Sequence, residues 1–75
     1  MNTVFCYDDC NAGYNLVFRT ADQAVSEMQR QYGNLPEGVT ARITRTDNRV
    51  ECYLSNKDGE ELVAFAFRSE VIEPE

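Results

Sequence analysis

Seventy-five residues, thirteen of them acidic, seven basic and none histidine, give a formal net charge of −6. A chain this short makes one domain with a thin core. The missing histidine removes the commonest general base and the commonest metal ligand, and the acidity argues against nucleic acid or an anionic membrane as a direct partner.

Hydrophobic residues make up 43% of the chain and charged residues 27%, a balance typical of folded rather than disordered proteins. Thr3 to Tyr7 is rich in strand formers and is predicted to stop at Asp8-Asp9. Asp8 to Gly13 reads as a hairpin loop in which Gly13 takes positive φ. Tyr14 to Arg19 is then a second strand, with Tyr14, Leu16 and Phe18 on one face.

A helix follows. Thr20 and Gln23 have the spacing of a capping box, and Ala21, Ala24, Val25, Met28 and Tyr32 recur on one side at helical period. Gly33-Asn34 supplies the stop and Pro36 prevents continuation. The apolar stripe is narrow, which suits a helix covering one face of a sheet.

After Gly38 the period changes to two. Val39, Ala41 and Ile43 alternate with polar residues, Asp47-Asn48 makes a turn, and Val50, Cys52 and Leu54 continue the apolar alternation. Residues 56–59 form a second turn and Glu60 to Arg68 a final strand. With these loops Ile43 faces Cys52, Ala41 faces Leu54, Cys52 faces Val63 and Val50 faces Phe65, and all lie on one apolar face. The prediction is an α+β domain over residues 1–75, in the order β-β-α-β-β-β. A single helix packs on an antiparallel sheet of four to five strands, and residues 70–75 leave the fold as a mobile tail.

Three cysteines leave at least one thiol unpaired. Met1 to Phe5 has neither the charged start nor the long apolar run of a signal peptide, so the expectation is a cytoplasmic protein with reduced thiols. Cys6 and Cys10 with Cys52 fall short of a zinc ligand set, and no cation near them would activate a thiol. Cys6 and Cys52 read better as small buried hydrophobes. The paired carboxylates Asp8-Asp9 and Glu60-Glu61 lack a scaffold large enough for glycoside hydrolysis and the ligand order of a calcium loop. No hydroxyl or thiol has a histidine to activate it, and no phosphate-binding loop is present. The chain therefore reads as non-enzymatic, without metal or cofactor.

Arg42, Arg45 and Arg49 form the basic cluster, with Tyr53 opposite Arg42 in the proposed register for a cation–π pair. These arginines read as neutralised by Glu51 and neighbouring carboxylates, with single-stranded nucleic acid on Arg42, Arg45 and Tyr53 as a lesser reading. In size and charge, along the whole chain, the protein resembles small phage and mobile-element inhibitors of host defence, such as anti-CRISPR proteins. That resemblance implies a binding protein that occupies a basic surface on a larger protein or nucleoprotein complex. Asp8, Asp9, Glu60, Glu61, Glu70 and Glu73 are the carboxylates for such contacts, with Tyr53 as an aromatic anchor. The alternative is a small structural or regulatory module that forms a homodimer through Leu62, Ala64 and Ala66, because both faces of the last strand are apolar.

Overall fold

The computed structural model describes residues 2–71. Its elements are β1 (Asn2–Asp9), β2 (Tyr14–Phe18), α1 (Ala21–Tyr32), β3 (Thr40–Arg45), β4 (Arg49–Asn56) and β5 (Gly59–Val71). All five strands join one antiparallel sheet in the order β2-β1-β5-β4-β3, and α1 lies on one face of it. This is the predicted α+β architecture. The first hairpin docks on the edge of the meander by pairing β1 with β5.

The predicted helix signals are all used. Thr20 is the N-cap, its side chain accepts from the Gln23 N–H, and the Gln23 side chain accepts from the Thr20 N–H. Ala21, Ala24, Met28 and Tyr32 are the buried stripe. Gly33 ends the helix with an ordinary right-handed φ of −82°. Its role is close approach: a Cβ there would lie 2.5 Å from the Gln29 carbonyl oxygen. Gly13, at φ 77°, meets the predicted need for a left-handed residue in the β1–β2 loop.

Beneath the helix lie Phe5 and Tyr7 of β1, Val50 and Cys52 of β4, and Ala64 and Ala66 of β5. Met28, Val50 and Cys52 are completely buried, and a fully buried side chain of this kind contributes roughly 1.5–3 kcal/mol. The β3–β4 register is the predicted one, with Ile43 opposite Cys52, Ala41 opposite Leu54 and Arg42 opposite Tyr53. The β4–β5 register holds only from Asn56↔Gly59 to Tyr53↔Leu62. There an irregularity between Cys52 and Tyr53 shifts the pairing by one, giving Cys52↔Ala64 and Val50↔Ala66. Val63 is the extra residue, and its carbonyl accepts the Asn11 N–H of the β1–β2 loop.

The shift corrects the prediction for β5. Two small alanines sit under the helix, where they admit close packing, and Phe65 and Phe67 go to the opposite face. Two other boundaries move. β1 runs on through Asp8 and Asp9, and β5 runs to Val71, so Glu70 and Val71 pair opposite Thr3 and Asn2 instead of forming a tail. The remainder of the expected tail, Glu73 included, lies outside the described residues. The β3–β4 turn uses no left-handed residue. Instead the Thr46 hydroxyl accepts from the Arg49 N–H at 3.1 Å, and the Thr46 N–H donates to the Arg49 carbonyl.

Candidate functional site

The predicted partner-binding residues do not converge. Asp8 is half-buried on the sheet face away from α1, in register with Asn15 and Phe65. Glu70 is exposed near the far end of β5, ten residues along the strand from Glu60. At about 3.3 Å per residue those two carboxylates are separated by roughly 30 Å. Glu60 and Glu61 belong to the β4–β5 hairpin, and only there do several predicted residues meet.

Asp9 is corrected outright, because it is completely buried and no partner can reach it. Consecutive strand residues point to opposite faces, so Asp8 faces outward and Asp9 lies on the Tyr7 side under the helix. Three donors make that burial tolerable. The Tyr7 hydroxyl donates to Oδ2 at 2.8 Å, the Tyr32 hydroxyl to Oδ1 at 2.6 Å, and the Ala12 N–H to Oδ1 at 2.8 Å. Burial first, then the carboxyl group of Asp9, pushes both phenols well above the usual tyrosine range, so they remain donors. Sequence reasoning did not identify this cluster, although the strict alternation of Tyr7, Asp8 and Asp9 carried its signal.

A second polar cluster also lay hidden in the sequence. Glu27 of α1 accepts from the Tyr14 hydroxyl, from the Arg30 guanidinium and from the Gln31 amide. The Arg30 hydrogen bond is the main cause holding the Glu27 carboxyl down at about 2, against some opposing desolvation. The two clusters meet where Tyr7 and Tyr14 pack with ring centroids 6.0 Å apart. Both clusters tie the helix to the first hairpin.

At the β4–β5 end an open groove of about 640 Å³ runs between the C-terminal end of α1, the following loop and the hairpin. Its apolar wall is Tyr32, Leu35, Pro36, Val39 and Leu54, and its acidic wall is Asp58, Glu60 and Glu61. A smaller hollow shares Val39, Asn56 and Asp58 with it and adds Glu37 and Lys57. Glu60 is held by Arg42, whose hydrogen bond lowers the carboxyl pKa. Among the described residues Glu37, Asp58 and Glu61 have no ion-pair partner. The C-terminal end of α1 adds the negative end of its dipole to the same place. The groove therefore combines an apolar wall with unbalanced negative charge.

The arginines are compensated, as predicted. Arg42 pairs with Glu60, Arg45 with Asp22 and Arg49 with Glu51. Arg42 lies over the Tyr53 ring at 4.6 Å from its centroid, the expected cation–π contact, and Tyr53 donates to Glu51 at 3.0 Å. Arg45 departs from the predicted cluster: it lies on the helix side of β3 and reaches the first turn of α1. A nucleic-acid surface built jointly from Arg42, Arg45 and Tyr53 is thus divided between two faces.

Of the self-association residues, Ala64 and Ala66 are fully buried beneath α1 and only Leu62 is partly exposed. The bulge is the reason, since it inverts the face of every β5 residue beyond it. Cys52 is buried as expected and burial pushes its thiol pKa up, Cys6 is half-buried on the outer face, and Cys10 is exposed. Among the described residues no group of three or more histidine, cysteine, aspartate or glutamate side chains could hold a metal ion, and no helix is long and apolar enough to cross a membrane. No family model, curated protein or solved structure matches this chain.

Proposed function

We propose that the protein is a non-enzymatic acidic binding protein of the cytoplasm, an inhibitor that occupies a basic surface on a nucleic-acid-binding host protein or complex. The observation that supports this reading best is the groove at the β4–β5 hairpin, where Asp58, Glu61 and neighbouring Glu37 have no ion pair among the described residues and lie beside an apolar wall. A cationic loop carrying one apolar residue would bury that residue against Leu35, Pro36 and Leu54 and place its Arg or Lys groups among the carboxylates. Tyr53 and Arg42, which holds Glu60, face the other side of the same hairpin and take no part in this contact.

The test is affinity capture from host lysate at low salt, followed by a nucleic-acid binding assay on the captured complex. The expected result is a complex released by high salt whose nucleic-acid binding is blocked by this protein, and Asp58→Lys with Glu61→Lys lowers the affinity by at least ten-fold. Unchanged affinity in that double variant, or a captured complex that still binds nucleic acid normally, refutes the reading.

A further inference from the structure

The sheet has one helix, so its other face has no covering layer among the described residues. The chain's exposed large apolar residues gather there. Val17, Phe67 and Val71, exposed by 67%, 43% and 44%, all lie on that face, and among the described residues only Leu16 of this class lies on the helix side. Val17, Cys6 and Phe67 form one continuous row across β2, β1 and β5. Phe65 stacks beside Phe67 with centroids 6.3 Å apart, and Arg49 lies over the Phe65 ring, 4.9 Å from its centroid.

We propose that a second copy of this chain docks on this face, sheet against sheet, about a two-fold axis. Charge selects the occupant. Among the described residues Arg42, Arg49, Asp8, Glu51 and Glu60 leave the face at a formal −1, whereas the whole chain carries −6. A basic partner finds little complement here and finds more at the groove, which lies on the helix side. Two copies of an acidic molecule meet with least repulsion through a nearly neutral face, where Arg49 and Glu51 of each can also pair across the axis. The size fits as well. Five strands about 4.8 Å apart and roughly seven residues long cover about 500 Å² in projection, the same order as the roughly 800 Å² per partner of a stable interface. The dimer leaves both grooves open on its outer sides.

Sedimentation equilibrium of the full chain from about 10 µM to about 1 mM tests the proposal. The expected result is a reversible dimer that tightens as salt rises, because screening weakens repulsion between the acidic copies. Salt therefore moves this association and the proposed partner binding in opposite directions, so either idea can fail without the other. Phe67→Lys, on the central strand, raises the dimer dissociation constant on the order of 100-fold by setting like charges against each other in an apolar contact. Val17→Lys, at a more exposed position, does the same without touching the core. A monomer throughout the range overturns the proposal, and so does a dimer unaffected by both folded variants, because its contact then lies elsewhere.

Discussion

The Asp9 cluster offers the sharpest test of the fold, and Tyr32→Phe is the cleanest way to make it. The substitution keeps the ring that packs under the sheet and deletes only the hydroxyl that donates to Asp9 Oδ1 at 2.6 Å. Oδ1 retains the Ala12 N–H and Oδ2 retains Tyr7, so the carboxyl group stays buried with two donors in place of three. Taking one donor away from a buried acceptor costs about 1–3 kcal/mol. A 75-residue domain has a total stability of about 4–11 kcal/mol at 0.05–0.15 kcal/mol per residue. With a urea m-value of about 1 kcal/mol/M, the midpoint falls by about 1–3 M. Urea denaturation followed by far-UV circular dichroism measures it, and the cycle with Tyr7→Phe reveals the coupling between the phenols. A loss below about 0.5 kcal/mol would mean that Asp9 does not depend on the helix for its burial and that α1 docks through other contacts.

Other outcomes follow from the same structure. Folding lowers the Glu27 pKa from 4.5 to about 2, so its stabilising contribution is present above pH 4.5 and disappears as the pH falls toward 2; Glu27→Gln flattens that part of an acid-denaturation curve. Folding raises the Tyr7 and Tyr32 pKa values above 10.0, so their contribution is present below pH 10 and is lost at higher pH; Tyr32→Phe makes the alkaline limb of the stability profile shallower. Under native conditions a thiol reagent labels exposed Cys10 first, and Cys52 reacts only as fast as the protein unfolds, which intact mass spectrometry against time resolves. Gly33→Ala drives a Cβ to 2.5 Å from the Gln29 carbonyl oxygen and lowers stability by about 1–3 kcal/mol, and an unchanged melting temperature would contradict that contact.

Sequence reasoning succeeded where one physical pattern had one solution. The Thr20–Gln23 capping box, the helical stripe and the β3–β4 register each left a single arrangement in which apolar residues faced one way. It failed at β5 because Leu62 through Phe67 is apolar at every position. Alternation fixes a strand's register only when its two faces differ, and here a slip of one residue exposes no charge and buries none. The bulge at Val63 settles the matter through size, placing alanines under the helix and phenylalanines outside.

The candidate site was only half legible, because it forms from contacts far apart in the sequence. Glu60 and Glu61 follow a turn that the sequence marks clearly, so their exposure at the hairpin could be read directly. The groove beside them also needs Leu35, Pro36 and Val39, which become neighbours of the hairpin only after α1 has docked. Docking in turn depends on Tyr32 reaching Asp9, a residue whose doublet with Asp8 looked like surface charge. One carboxyl group turned inward thus fixes the C-terminal end of α1 against the first hairpin, and that helix end forms one side of the acidic groove. A variant that unseats Tyr32 is for that reason expected to weaken the proposed partner binding as well as folding, although Tyr32 contributes no charge to the contact.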